Sequence, residues 1–370
     1  MHLRTSTDGE SCRNRLRTLP TPSDCVNVHI INPLSDRRWD DLVACHPRAS
    51  VFHGKGWLEA LNRTYGYQPF ALTNTSPNSQ LSDALVLCRV SSWITGVRCV
   101  SLPFADHCDP LLNASGDLLG FTKWLRAACD RQAWKYVELR PMSCSGEMDA
   151  FTRGQAYCLH TLDLRPTLER IFQSLHKDST QRRIRRAEKQ GLSHETGRSE
   201  RLTQEFYRVL VMTRRRHKLP PQPRAWFRNL LECMGDKAQI RLARKNGTPI
   251  AALLTLRHRS SVVYKYGCSD ERFHNLAGMP FLFWRLIEES RASGVEEIDL
   301  GRSDLDQEGL ITFKDHLGAK RRTLSYYRYP EKQNRESMDS LGPRVMRQLF
   351  SVLPECVLPT VGRMLYPHMG

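Results

Sequence analysis

QIRLARKNGTPIAALLTLRHRSSVVYKYGCS, residues 239–269, carries the clearest pattern in this chain of 370 residues. It reads as three strands in succession, over 239–245, 249–258 and 261–269, each an apolar run with turn residues at its borders. Asn246-Gly247 joins the first two, the strongest short hairpin signal a sequence offers. Residues 249–256 are the longest nearly clean apolar run, which is strand length and far short of a membrane span. A helix is predicted over 279–293, with Phe281, Leu282, Trp284, Leu286 and Ile287 at helical spacing and Gly294 closing it. A buried strand over 297–300 follows. Antiparallel hairpins feeding a helix and then further strands predict an α+β fold on a mixed, mostly antiparallel sheet.

Outward from this centre the same grammar repeats. Downstream come a short helix over 310–317 and a strand over 324–329. Upstream, 156–164 reads as a strand, and 167–175, 180–190, 200–217 and 224–234 as helices. Further back, strands are predicted over 26–31, 69–73, 84–90, 98–102 and 136–139, with helices over 54–63 and 117–132. Strands, helix, strand, twice over, predict two domains of like outline, 26–155 and 156–330. Residues 1–25 form a flexible lead and 331–370 a helical tail. In the tail Arg344, Arg347 and Arg363 punctuate an apolar sequence. It reads as a helix packed back on the first domain, or alternatively as an interfacial segment on an anionic membrane.

Composition narrows the function. The chain is 40% hydrophobic and 25% charged, ordinary for a globular protein. Lys plus Arg number 55 against 39 Asp plus Glu, a net +16, so an anionic partner is expected. The first 25 residues lack the apolar core of a secretory signal, which places the chain in the cytoplasm, with the inner membrane as a peripheral site. Twelve cysteines are scattered without one C-x-x-C, so the zinc-ribbon and thioredoxin readings lose their signal and no metal site is expected. Cys108 follows His107, but adjacent side chains seldom face each other, so no Cys–His nucleophile is read there.

Residues 177–218 hold thirteen Lys and Arg against five Asp and Glu, half of the net charge. On a helix from Thr180, Arg182, Arg185, Arg186 and Lys189 share a face. Such a face is either solvated or set against an anion, and guanidinium groups suit phosphate. No nucleic-acid-binding motif accompanies the cluster, so sequence-specific DNA binding is not expected. Other candidates lie past strand ends. Asp299-Leu300-Gly301-Arg302-Ser303 follows one buried-looking strand, and Tyr266 ends the strand before the 279–293 helix. Phe313 and Leu317 flank Lys314, which predicts a partly buried cation able to stabilise an oxyanion. Asp106-His107-Cys108-Asp109-Pro110 offers two carboxylates for proton transfer, or a plain turn.

Together these pieces resemble the FemAB-like acyltransferases of the GNAT superfamily. The resemblance covers roughly residues 50–330 and rests on Phe52 to Trp57-Leu58, on Leu102 to Pro110, on TQRRIRRAEKQGL from Thr180, and on Tyr264 to Tyr329. It implies two tandem GNAT-like domains and acyl or aminoacyl transfer to an amine, in cell-envelope or exopolysaccharide biosynthesis. By position it makes Lys314, Asp106 and Asp109 the catalytic set. It sets Arg182, Arg183 and Arg186 around the anionic substrate, and Trp57, Tyr266, Asp299, Arg302 and Ser303 complete the substrate-binding candidates. It implies no tightly bound cofactor, with acyl-CoA, acyl-carrier protein or aminoacyl-tRNA as co-substrate, so tRNA is a candidate partner. Two departures bear on substrate. Leu61 stands where peptidoglycan-directed members carry a Lys, and Asn275-Leu276-Ala277-Gly278-Met279-Pro280 departs from the usual acetyl-CoA pyrophosphate loop. The alternatives are an aminoacyl-tRNA-dependent peptidoglycan enzyme and a non-catalytic binder of an anionic glycolipid.

Overall fold

The structure is a computed structural model and describes residues 28–113, 118–143, 148–331 and 357–370. The chain divides into two compact units. One comprises Met1–Ala49, Gln68–Gly154 and Tyr326–Lys332; the other comprises Ser50–Tyr67, Gln155–Ser325 and Gln333–Gly370.

In the first unit β1 (His29–Ile31), β2 (Gln68–Thr73), β3 (Leu85–Ser92) and β4 (Gly96–Val100) pair antiparallel in sequence order. β5 (Val137–Leu139) lies parallel to β4. A parallel neighbour requires a crossover, which α3 (Leu118–Arg131) provides. Residues 327–329, the end of β12 (Lys320–Tyr329), pair antiparallel with β5. Phe121, Leu125 and Ala128 of α3 fall on one face and meet Phe70, Leu72, Leu85 and Leu87 from alternate strand positions. α1 (Arg38–Cys45), absent from the sequence reading, buries Trp39, Leu42 and Val43. Asp36 takes the Arg38 backbone N–H at 2.9 Å ahead of its first turn.

The sheet of the second unit runs β6-β11-β10-β9-β8-β7. Its strands are β6 (Thr152–Asp163), β7 (Ser193–Gly197), β8 (Ala238–Lys245), β9 (Thr248–His258), β10 (Ser261–Ser269) and β11 (Glu297–Asp304). All pairs are antiparallel except β10 with β11. Asn246 and Gly247 both take positive φ, 49° and 78°, as the β8–β9 hairpin demands. α8 (Gly278–Ala292) crosses from β10 to β11, and Phe281, Leu282, Leu286 and Ile287 pack with Leu253, Val262 and Ile298 in the core. The remaining helices are α2 (Lys55–Tyr65), α4 (Leu168–Ser174), α5 (Arg182–Lys189), α6 (Glu200–Arg216), α7 (Arg224–Met234), α9 (Glu308–His316) and α10 (Leu358–Leu365). A π turn, Lys177–Gln181, leads into α5.

Three assignments differ from the sequence expectation. Residues 326–330 were placed in the second domain, yet they belong to the first unit. α2 was placed in the first domain, yet it belongs to the second unit. A Cβ on Gly56 would stand 2.5 Å from Cys233 O, so α2 presses directly on α7. Trp57 meets Trp226 edge-on at 5.3 Å, and Asn229 Nδ2 donates to Thr64 Oγ1 at 2.9 Å. The described part of the tail likewise packs within the second unit. Leu358 is buried, Tyr366 Oη donates to Pro220 O at 3.2 Å, and Tyr67 Oη donates to Tyr366 O at 3.0 Å. Arg344 and Arg347 lie outside the described residues, as does the 1–25 lead. Among the described residues no helix is long and apolar enough to cross a membrane.

Candidate functional site

The parallel strands β10 and β11 stay in register for only three pairs, Ser261 with Glu297, Val262 with Ile298 and Val263 with Asp299. Beyond them β10 continues to Ser269 and β11 to Asp304 without pairing to each other again. Irregularities in both strands account for the parting. β10 shifts register against β9 between Tyr264 and Tyr266. β11 shifts against β6 between Asp299 and Arg302, where Gly301 takes φ +70°. Bulges of this kind bend a strand and increase its twist. The facing edges past Val263 and Asp299 therefore stop serving each other as ladder partners, and backbone polar groups at such an edge need another partner.

Two side chains hold the bend. Asp299, 4% exposed, accepts the Gly301 N–H at 2.7 Å. Lys314, carried by α9 and 2% exposed, donates from Nζ to Gly301 O at 2.8 Å and to Arg302 O at 3.2 Å. Phe313 beside it packs edge-on against Phe283 at 5.5 Å. Arg302 lays its guanidinium over the Tyr157 ring at 3.9 Å, and the buried Ser303 hydroxyl makes no hydrogen bond among the described residues. Asp299, Arg302, Ser303 and Lys314 are thus gathered at one place, where the strands part.

The mouth of this wedge is basic. α8 starts from Ala277 at φ 60° with no side-chain cap, and Pro280 brings no N–H, so Gly278 and Met279 present the first-turn donors. A Cβ on Gly278 would stand 3.0 Å from Ala251 Cβ, so glycine lets the helix start close to β9. α6 ends in Arg214, Arg215 and Arg216, and Thr213 Oγ1 donates to Ser269 O at 3.0 Å, tying that end to β10. Arg216 Nη1 stands 3.2 Å from His274 Nε2, which is also 3.0 Å from Ser269 Oγ. Burial pushes the His274 pKa down, and the charges of Arg216 and Arg183 push it further. Arg183 therefore belongs to this mouth. Arg182 pairs instead with Asp178 at 2.7 Å on the surface, and Arg186 is exposed. The four-cation face of α5 is solvated, while Ile184 and Ala187 are its buried side. Arg214, Arg215 and Arg216 lie within the basic 177–218 stretch but were not made a site, and His274, which has no motif around it, was missed.

Trp57 and Tyr266 are interior. Trp57 is fully buried against Phe52, at 4.9 Å between ring centres, and Trp226. Tyr266 Oη accepts from Trp226 Nε1 at 2.9 Å. The half-buried Lys265 points its Nζ toward three of these rings, 5.5 Å from Phe52, 6.0 Å from Trp57 and 5.9 Å from Tyr266. Next to Lys314, Asp315 Oδ1 accepts from Arg321 Nε at 2.6 Å and stands 3.2 Å from His160 Nε2. The Arg321 hydrogen bond holds the Asp315 pKa down, and burial lowers that of His160. Cys158 Sγ is 3.8 Å from His160 Nδ1 and 3.9 Å from Nε2. Near-equal distances leave the thiol in line with neither lone pair, so it is not activated for attack.

Asp106 and Asp109 belong to the first unit. Their loop is pinned by Arg140, which donates from Nη1 to Leu102 O at 3.2 Å and Ala105 O at 3.1 Å and pairs with Glu138 at 2.8 Å. The Asp109 carboxylate is buried and accepts the Met142 N–H at 2.6 Å. Asp106 is half-buried, and its backbone carbonyl accepts from Tyr326 Oη at 2.6 Å. Burial pushes the Cys108 thiol well up, so it is no nucleophile.

Residues 175–314 match the family described as Acetyltransferase (GNAT) domain, a span that runs from Leu175, two residues before the π turn, to Lys314. No curated protein matches the sequence. Solved structures share the fold at low identity. The crystal structure of FemX aligns with a TM-score of 0.60 at 12% identity, covering 86% of this chain and 99% of that one. A tandem GNAT protein from the clavulanic acid biosynthesis pathway aligns at 0.51 and 12% identity, covering 81% and 98%. The C-terminal domain of a putative lysylphosphatidylglycerol synthetase from Agrobacterium fabrum aligns at 0.50 and 13%, covering 89% and 97%. The chain thus carries an acyltransferase domain on an α+β fold with tandem-GNAT structural neighbours.

Proposed function

We propose that the protein transfers an acyl or aminoacyl group from a phosphate-bearing donor, a thioester or an ester, to an amine. The observation that carries this reading is the parting of β10 from β11 beside a basic helix start. An extended donor arm that contains amides can pair with strand edges that have lost their partner. Its phosphates would meet the Gly278 and Met279 N–H groups with Arg183 and Arg216. Acyl-CoA, acyl-carrier protein and aminoacyl-tRNA all present this combination of a phosphate handle and an activated carbonyl.

In the reaction the neutral amine attacks the carbonyl carbon. The C–N bond forms, the carbonyl oxygen takes the negative charge, and the C–S or C–O bond then breaks. Lys314 fixes the backbone of residues 301–302, and its positive charge lies beside the place where the strands part. Fixed donors and charge that need no reorganisation are what such an oxyanion requires. Asp106 and Asp109 stand as proton acceptors on chemical grounds. The names of two structural neighbours, FemX and lysylphosphatidylglycerol synthetase, support an acceptor in the cell envelope.

Coenzyme A and an aminoacyl-tRNA, each titrated against the full chain by calorimetry, test the reading. Binding of one of them, weakened about tenfold by Arg183→Ala or Arg216→Ala, is expected from the loss of a charge-assisted phosphate contact. Binding of neither, or binding indifferent to both substitutions, overturns it.

A further inference from the structure

The hairpin between β3 and β4 ends in Ser92-Trp93-Ile94-Thr95-Gly96. Trp93 is 87% exposed and Ile94 52%, two adjacent large apolar side chains held out in water. The loop that presents them is well made. Ser92 Oγ accepts the N–H groups of Ile94 at 3.2 Å and Thr95 at 2.9 Å, Ser92 pairs with Gly96, and Gly96 takes φ +81°. Beneath it the buried Arg98 donates to Thr95 Oγ1 at 2.5 Å. The exposure is therefore built into an ordered turn. Neither residue belongs to the core cluster of this unit.

The neighbouring surface is basic. The Lys135 N–H donates to Val97 O at 2.7 Å, which sets the turn before β5 beside the hairpin. Lys135 and Arg131 are exposed, and neither 89–98 nor 131–137 contains Asp or Glu. The flanking acids are engaged: Asp130 accepts from Tyr329 Oη at 3.0 Å and Glu138 from Arg140 Nε at 2.9 Å.

We propose that this tip docks the protein on an anionic lipid surface. Trp93 and Ile94 enter the headgroup–acyl boundary, and Lys135 and Arg131 lie against the lipid phosphates. Tryptophan favours that boundary because its ring is apolar and its N–H is not. Basic side chains beside it gain from the negative potential of the leaflet. An exposed apolar tip with cations beside it suits a fluid interface, whereas a protein partner would need a matching pocket. The contact is peripheral, and it does not depend on the acyl-transfer reading.

Sedimentation of the full chain with phosphatidylcholine vesicles, with and without phosphatidylglycerol, tests it. Wild type should pellet with the phosphatidylglycerol vesicles. Trp93→Ser with Ile94→Ser should lower the partition about tenfold or more through lost apolar burial. Lys135→Glu should lower it less, in a way that added salt erases. The melting temperature should be unchanged, because both tip side chains already face water. Equal partition of the double variant, or no pelleting of wild type, overturns the proposal. So does a shift in oligomeric state on substitution, which would make the tip a contact between copies.

Discussion

Replacing Lys314 by Met measures how far the parting of β10 and β11 depends on one side chain. The change keeps the length and apolar stem of the lysine and removes the amino group, which is 2% exposed and bonded to the carbonyls of Gly301 and Arg302. Each buried carbonyl left without a donor costs about 1–3 kcal/mol. Part of that returns because a buried amino group no longer has to be desolvated. The net loss should be about 2–4 kcal/mol, or a fall in melting midpoint of roughly 5–10 °C. Urea unfolding followed by tryptophan fluorescence reads the first quantity, and calorimetry reads the second. Once an acyl donor is identified, turnover should fall at least about a hundredfold with little change in donor KM, the pattern of an interaction used in the transition state. A variant within about 0.5 kcal/mol of wild type, within ordinary surface-substitution scatter, would refute the claim that Lys314 holds the bend. Unchanged turnover would remove it from the chemistry.

Gly278→Val should abolish donor binding with a smaller effect on stability, because its side chain would press into Ala251 and Ile250 and lift the start of α8; calorimetric titration with the donor checks it. Arg140→Met should loosen the loop from Leu102 to Asp109, read as faster amide exchange at Cys108, whose N–H now bonds Arg140 O at 2.7 Å. Burial, with Arg259 and Lys237 nearby, lowers the His258 pKa to about 4. The unfolded chain therefore binds this proton first, and stability present above about pH 6.5 should drain away as pH falls toward 4. His258→Gln should flatten that limb in urea titrations at stepped pH.

Much of the second unit was legible because its signals are local. The 249–256 apolar run, the Asn246-Gly247 turn and the glycine closing α8 each act within a few residues, and the elements formed where those signals stand. β7 was missed because Ser193–Gly197 has no apolar alternation; it pairs at the edge through its backbone and through Glu195, which meets Arg244 of β8 at 2.7 Å. α1 was missed because eight residues give barely two turns of periodicity. At the site, Phe313 and Leu317 around Lys314 correctly signalled burial, yet nothing in them names the carbonyls it serves. The wedge was illegible for the same reason, since register between β10 and β11 is decided by residues over thirty positions apart. The apolar face of α2 announces that it packs, but not on which sheet.

Neither unit is an unbroken length of chain, and this shapes the order in which the molecule can be built. β5 receives its β12 neighbour only after residues 327–329 have been made, long after Leu139 has left the ribosome. α2 must wait for α7, some hundred and seventy positions later, before Trp57 has Trp226 to rest on. Domains usually mature in the order of synthesis, but here the earliest segments are among the last to be finished. A nascent chain of this protein keeps apolar surface uncovered until nearly all of it has emerged, which makes it a natural client for holding chaperones.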